Sequence, residues 1–120
     1  MGNDYKSKVP FDLRKQESDR IKEQYPDRLP VVVEKISTCK TLPDIDKKKF
    51  LVPKDLTIAQ FLYVVRKRLN IDSTQAIFLF CQDNTLPTGS QEIQSLYSDS
   101  HDEDGFLYLF YNAESTFGNN

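Results

Sequence analysis

The residues able to do nucleophilic or metal chemistry are few: Cys39, Cys81 and a single histidine, His101. Neither cysteine neighbours His101 in sequence, and no G-x-S-x-G, P-loop or H-E-x-x-H pattern occurs. Catalysis would need a Cys–His pair assembled by folding, so the chain is read as a non-enzyme with no catalytic residues. The cysteines also lack disulfide-framework or metal-ligand spacing, which suits a reducing compartment. The acidic loop Asp99-Ser100-His101-Asp102-Glu103-Asp104-Gly105 ends like a calcium loop. However, Ser100 stands where the first ligand Asp belongs and Tyr111 where the bidentate Glu belongs. It reads as a solvated turn without metal. The stretch Lys47-Lys48-Lys49-Phe50-Leu51-Val52-Pro53 is richer. Lysines and a proline guard a sheet edge against indiscriminate pairing. Phe50 and Leu51 point to opposite faces, making a candidate docking strip for another chain.

The elements that must position this strip follow from pattern. Asp4 can cap a short helical turn ended by Pro10. Phe11 to Tyr25 are helix formers with a thin apolar stripe and opposite charges three apart, Glu17 with Arg20 and Asp19 with Lys22. Glu17 and Ile21 share one face at i, i+4 and can together line a groove. Arg28 to Ile36 is a β-branched strand, Ser37 to Ile45 a loop, and Lys48–Pro53 the guarded strand. Thr57-x-x-Gln60 is a capping box, with Leu56 placed to staple against Phe61. Ile58, Phe61, Leu62, Val65 and Leu69 form a core-facing stripe, Arg66-Lys67-Arg68 complements the helix dipole, and Asn70 is a left-handed stop. Ala76–Cys81, apolar throughout, predicts a central strand buried on both faces. Leu86 resumes a short strand, Ser90 caps a brief helix through Ile93, Leu96 and Tyr97, and Phe106–Tyr111 is the last strand. This order is that of an α+β β-grasp domain, a four-stranded mixed sheet across one main helix, with two extra N-terminal helices. The predicted organisation is an N-terminal helical extension (1–25) packed on the core, the β-grasp core (26–112) and a flexible C-terminal tail (113–120).

A chain of 120 residues supports one modest core. No apolar run approaches a membrane span and no signal peptide opens the chain, so the cytosol is expected. Met1-Gly2-Asn3-Asp4-Tyr5-Lys6 falls short of an N-myristoylation signal, carrying Lys6 where Ser or Thr is required. Net charge is −2 but lopsided: residues 1–68 carry 16 basic against 10 acidic residues, and residues 69–120 carry 8 acidic and no basic ones. The polarity either ties two halves of the fold together or gives one face a field that attracts acidic partners. The basic residues are mixed with acids and no RNA or DNA motif appears, so nucleic acid is not expected.

After the last strand comes the polar run Asn112-Ala113-Glu114-Ser115-Thr116-Phe117-Gly118-Asn119-Asn120. A glycine near the C-terminus, behind a β-grasp, resembles the reactive end of ubiquitin-like modifiers. Lacking a side chain, it passes through narrow protease and thioester sites in extended form. Together with Tyr25-Pro26-Asp27-Arg28-Leu29-Pro30-Val31, Asp46-Lys47-Lys48-Lys49-Phe50-Leu51-Val52-Pro53, Asp55-Leu56-Thr57, Gln60-Phe61, Arg66-Lys67-Arg68, Asp104-Gly105-Phe106-Leu107-Tyr108 and Glu114-Ser115-Thr116-Phe117-Gly118, this resembles the autophagy ubiquitin-like modifiers of the GABARAP and microtubule-associated-light-chain type over nearly the whole chain.

The resemblance implies cleavage after Gly118 by a cysteine protease that recognises Phe117. Passage through activating and conjugating enzymes and amide linkage of Gly118 to phosphatidylethanolamine would follow, with no other cofactor. It implies cargo receptors that add an aromatic-x-x-aliphatic motif as a strand on Lys49, Phe50 and Leu51. Glu17, Ile21, Pro30, Val32, Leu51 and Phe106 would line the aromatic pocket. Phe50, Val52, Pro53, Leu56, Phe61 and Val64 would line the aliphatic one, and Arg28, Lys47, Lys49 and Arg68 would meet flanking acids. Microtubules are a further implied partner, and the autophagosome membrane a second location after lipidation. The alternative is a non-conjugated ubiquitin-like adaptor for peptide, trafficking or cytoskeletal partners. Ala59 stands where the family usually has glycine, Phe50 where tyrosine is frequent, and the loops Ser37–Pro43 and Gln82–Thr85 are slightly long, which bears on partner preference.

Overall fold

In the computed structural model, residues 4–115 are described. The elements are α1 (Asp4–Lys8), α2 (Phe11–Gln24), β1 (Arg28–Lys35), β2 (Lys49–Pro53), α3 (Ile58–Leu69), β3 (Phe78–Cys81), α4 (Ile93–Ser100) and β4 (Leu107–Asn112). The four strands make one mixed sheet in the order β2-β1-β4-β3, parallel only between β1 and β4. This is the ubiquitin-like fold with two added N-terminal helices.

Strand alternation assigns the two faces. Val32 pairs with Lys49 and Tyr108, and Tyr5 of α1 packs its ring on Phe106 and Tyr108, so Pro30, Val32 and Glu34 of β1 face the N-terminal helices. Val31 pairs with Phe50, whose ring meets Phe61 of α3 edge to face at 5.5 Å, so Leu29, Val31 and Val33 face α3. Helices therefore cover the sheet on both sides, which is why β1 and β4 are buried in unbroken runs, whereas the edge strand β2 is buried alternately.

α3 forms where its local signals put it. Gln60 N–H donates to Thr57 Oγ1 at 3.2 Å and Thr57 N–H to Gln60 Oε1 at 2.9 Å. Asn70 ends the helix at φ 54, ψ 45, donating to the carbonyls of Arg66 and Lys67. Ile58, Phe61, Val65 and Leu69 are buried and Leu62 half-buried. Burying each such side chain contributes about 1.5–3 kcal/mol before ordering costs.

Four expectations change. β3 lies at a sheet edge rather than in the centre; Leu79, Phe80 and Cys81 are buried even so. Leu86 joins no strand and is exposed, because Asp83 and Asn84 turn the chain tightly (Asn84 at φ 72) and the Thr85 carbonyl takes the Cys81 N–H. Ser90 caps nothing. The carbonyls of Gly89 and Gln91 accept from the first N–H groups of α3, holding this segment extended, and α4 starts only after Glu92. Lastly, the acidic loop is not simply a solvated turn. Asp104 is fully buried: its carboxylate accepts from Arg14 Nη1 at 2.7 Å, Tyr108 Oη at 2.5 Å and Phe106 N–H at 2.9 Å. Its carbonyl accepts from the Ser18 hydroxyl. Gly105, at φ +91, has no room for a side chain: a Cβ there would stand 2.3 Å from Ser18 Oγ.

The Asp104 cluster thus fastens α2 to the start of β4. Removing one member of a buried ion pair strands the other, at a cost of about 3–5 kcal/mol. Asp104→Ala should lower unfolding stability by about that amount in urea titrations. A loss too small to resolve would show that the cluster does not hold α2 down.

Candidate functional site

The free edge of β2 has a definite pattern of open backbone groups. Val33 N–H donates to the Lys48 carbonyl at 2.8 Å, which turns residues 48, 50 and 52 toward β1 and leaves the N–H and C=O of Lys49 and Leu51 pointing outward. Arg28 Nη1 caps one of them, the Leu51 carbonyl, at 3.2 Å. The side chains of Lys49 and Leu51 rise toward α2, those of Phe50 and Val52 toward α3. A strand added to this edge would therefore present its side chains alternately to the α2 side and the α3 side.

On the α2 side the structure brings Glu17, Pro30, Lys49 and Leu51 together. Pro30 and Leu51 are cross-strand partners, and Lys49 Nζ bonds Glu17 Oε2 across the groove at 2.8 Å. Val32 and Phe106 have no exposure and Ile21 almost none, so they are the floor beneath rather than the walls. On the α3 side Phe50, Val52 and Phe61 are buried, Phe50 and Phe61 filling each other's space. Pro53, Leu56 and Val64 are the members left accessible. Val64 opens into a shallow depression shared with Tyr63, Lys67 and Arg68.

The four predicted cations are all occupied within the chain. Besides Arg28 and Lys49, Lys47 lies over the Phe50 ring at 5.5 Å and Arg68 Nε bonds Asp46 at 3.1 Å. Such partly exposed pairs contribute about 0.2–1 kcal/mol, so an incoming acid displaces them cheaply. The pairing of Glu17 with Arg20 expected along α2 is superseded, since Glu17 turns to Lys49; the i, i+4 pair that forms is Lys15–Asp19.

Two residues beyond the sequence reading, Tyr5 and Glu34, join the site, and Lys48 of the docking strip meets them there. Tyr5 Oη donates to Glu17 Oε1 at 2.8 Å, and its backbone N–H donates to Glu34 Oε2 at 2.9 Å. Lys48 reaches Glu34 at 3.6 Å and Asp4 at 3.2 Å. The period of β1 carried the signal for Glu34: two residues beyond Val32, it must face the helices. Burial pushes the Glu17 carboxyl up, but hydrogen bonds from Lys49 and Tyr5 outweigh it and hold the group below its usual value. For Glu34 burial wins over the Tyr5 N–H and Lys48, and the carboxyl is raised, with Oε1 buried and without a hydrogen bond.

Folding does bring Cys81 and His101 to one small cavity. Burial raises the Cys81 thiol, which disfavours the nucleophilic thiolate, while His101 stacks on Tyr97 and spends Nδ1 on the Tyr97 carbonyl at 2.8 Å. Phe117 and Gly118 lie outside the described residues.

The family described as autophagy protein Atg8 ubiquitin like matches residues 13–118. The chain belongs to that family. Autophagy-related protein 8e of Arabidopsis thaliana is 51% identical over 117 residues, covering 98% of this chain and 94% of the relative. Autophagy-related protein 8a of the same plant is 52% identical over 114 residues, 95% of this chain and 92% of the relative. Among solved structures, that of Trypanosoma brucei ATG8 superposes with a TM-score of 0.88 at 39% identity, covering 97% of this chain and 98% of the other. The resemblance read from the residues points to this same family, and the chain takes the family's role of ubiquitin-like modifier in autophagy. Atg8 family members are modifiers rather than enzymes.

The two carboxyls of the site predict opposite pH responses. Glu34 is raised in the folded state, so its contribution to stability is complete below the ordinary value of 4.5 and is lost as pH rises through the folded-state value. Ionised, the buried and under-bonded group is a burden. Glu34→Gln, which keeps an acceptor for Tyr5, should be more stable than the parent at pH 7, with the gain vanishing near pH 4. Urea unfolding at both pH values measures this. A loss at pH 7 would mean that Lys48 and Tyr5 outweigh burial. Glu17 is lowered, so its contribution is present above its ordinary value of 4.5 and lost as pH falls through the folded one.

Proposed function

We propose that this Atg8-family chain is cut after Gly118, joined through the Gly118 carboxyl to the amine of phosphatidylethanolamine, and there recruits cargo receptors carrying aromatic-x-x-aliphatic motifs. The observation that carries the first step is that the family match ends on Gly118, leaving Asn119 and Asn120 beyond it. Phe117 before the cut is the residue the processing cysteine protease would read. Carriage as a thioester on activating and conjugating enzymes keeps the glycyl carbonyl activated until the lipid amine attacks and the thiol leaves. Among the described residues no helix is long and apolar enough to cross a membrane, and attachment in this reading comes from the lipid. Two acyl chains, at roughly 0.8 kcal/mol per buried CH₂, hold a small domain stably on a bilayer. The chain would thus divide between cytoplasm and autophagosome membrane.

The outward backbone groups of Lys49 and Leu51, with a groove on each side, support receptor docking by strand addition. Each anchor side chain contributes about 1.5–3 kcal/mol, and ordering costs leave micromolar affinity. Microtubules are a further proposed partner, through the same basic edge.

Incubation with the pathway's cysteine protease should remove the mass of two asparagines, and Gly118→Ala should abolish capture on autophagosome membranes in cells. Normal decoration by Gly118→Ala would favour the non-conjugated adaptor instead. For docking, Lys49→Ala with Leu51→Ala should weaken binding of an aromatic-x-x-aliphatic peptide at least about tenfold, the equivalent of losing roughly 1.4 kcal/mol. Unchanged affinity by calorimetry would remove the groove from the proposal.

A further inference from the structure

The N-terminal helix α1 is a single turn, Asp4–Lys8, too short to persist by itself. Side-chain bonds hold it to the sheet. On one flank Lys6 bonds Asp102 at 2.5 Å and Gln82 at 2.6 Å. The other flank depends on Lys48, just before the docking strand, and Lys49, its first residue. Lys48 lies between Asp4 of α1 and the buried Glu34, whose other contact is the backbone N–H of Tyr5. Lys49 lies between Glu17 and the Tyr5 ring, 5.3 Å from its centroid, while the Tyr5 hydroxyl holds the second oxygen of Glu17.

We infer that α1 is a strap over the receptor groove that competes with an acidic partner for Lys48 and Lys49, so that peptide docking loosens α1 and loosening α1 strengthens docking. This rests on the receptor-docking reading above. The physical ground is that an ammonium held between two acceptors cannot also serve a third carboxylate at full strength. A peptide acid at the β2 edge takes Lys49 from Glu17 and Tyr5, and Lys48 from Asp4 and Glu34. Both losses fall on the same flank of α1, and Glu34 is then left buried with even fewer partners. Coupling between two binding events is reciprocal, so a change made at α1 must appear at the groove. The Lys48–Asp4 and Lys49–Glu17 pairs are partly exposed and individually weak, which places the coupling within reach of an ordinary ligand rather than locking the groove shut.

The test uses the full chain and two synthetic peptides with the same aromatic-x-x-aliphatic core, one flanked by Asp and Glu, the other by Asn and Gln. Asp4→Asn takes away one of the two carboxylates that hold Lys48, leaving Glu34, without touching the groove. Asp12→Asn, on the exposed surface of α2, makes the same change of net charge away from Lys48. Asp4→Asn should bind the acidic peptide about two- to fivefold tighter, while Asp12→Asn matches the parent and neither variant alters binding of the neutral peptide. In the parent protein, saturation with the acidic peptide should speed exchange of the Tyr5 amide proton, whose acceptor is Glu34. Equal gains for both variants would assign the effect to net charge and overturn the strap, as would an equal gain for the neutral peptide or unchanged Tyr5 exchange at saturation. Failure of the parent protein to bind either peptide would overturn the docking reading and the strap with it, whereas binding without coupling would overturn the strap alone.

Discussion

The constraint on which the structure depends is the desolvation of one carboxylate. Asp104 lies in a loop, yet is sealed from water between α2 and the start of β4. Ionised, it is tolerable there only because Arg14, Tyr108 and the Phe106 N–H all donate to it. Each donor comes with a consequence. Arg14 and Ser18 fasten α2 one turn apart, Tyr108 fixes the helix-facing side of β4, and the backbone turn requires a glycine at position 105. Arg14 Nε also caps the Val9 carbonyl at 2.9 Å, which fixes the path from α1 into α2. A carboxylate buried this way demands a set of partners from distant parts of the chain, and so aligns the N-terminal helices with the sheet.

That alignment is what creates the groove. The ubiquitin-like sheet by itself offers β2 as an edge with α3 on one side. With α2 held on the other face, Glu17 comes opposite Lys49 and the edge acquires a second wall. The buried Val32 and Phe106 then serve as the floor of a cleft rather than as residues under solvent. The lopsided charge seen in sequence also finds a use here, since Arg14–Asp104 and Lys6–Asp102 each join the basic first half to the acidic second half.

What could be read from sequence divides by the range of the physics. α3 was legible in full, because its capping box, apolar stripe and left-handed stop lie within a few residues of one another. The guarded edge was legible because lysines and proline have a positional meaning there. Ala76–Cys81 showed its burial but not its place in the sheet: apolar continuity reports that both faces are covered, and an edge strand between helical layers satisfies that as well as a central one. Asp104 was illegible, since Asp-x-Asp-Gly looks like a solvated turn and its principal partner, Arg14, stands 90 residues earlier. Glu17 misled in the same way. Its neighbour at i+3 is a cation, but Lys49, 32 residues away in sequence, is the one it bonds. Of the proposed groove, the residues whose side chains alternate along β2 were assigned to their faces by period alone, whereas the involvement of Tyr5 and Lys48 arises from the path of α1, which no local pattern specifies.

The spacing of the proposed partner motif follows from the same alternation. Only Lys49 and Leu51 have backbone groups turned outward, so an added strand registers on those two residues. Along an extended peptide, residues i and i+3 differ by an odd number and project to opposite faces. An aromatic side chain directed toward α2, over Pro30 and Leu51, therefore sends the residue three later toward α3, at Pro53, Leu56 and Val64. A motif with anchors two or four apart would place both on one side and leave the other groove empty. In the proposed docking, the same edge that lysines protect from indiscriminate pairing would favour a strand whose side chains suit both sides and whose acids can replace the chain's own at Lys48 and Lys49. Discrimination in that reading would come from the two preferences together, because the outward backbone groups alone would accept any extended chain.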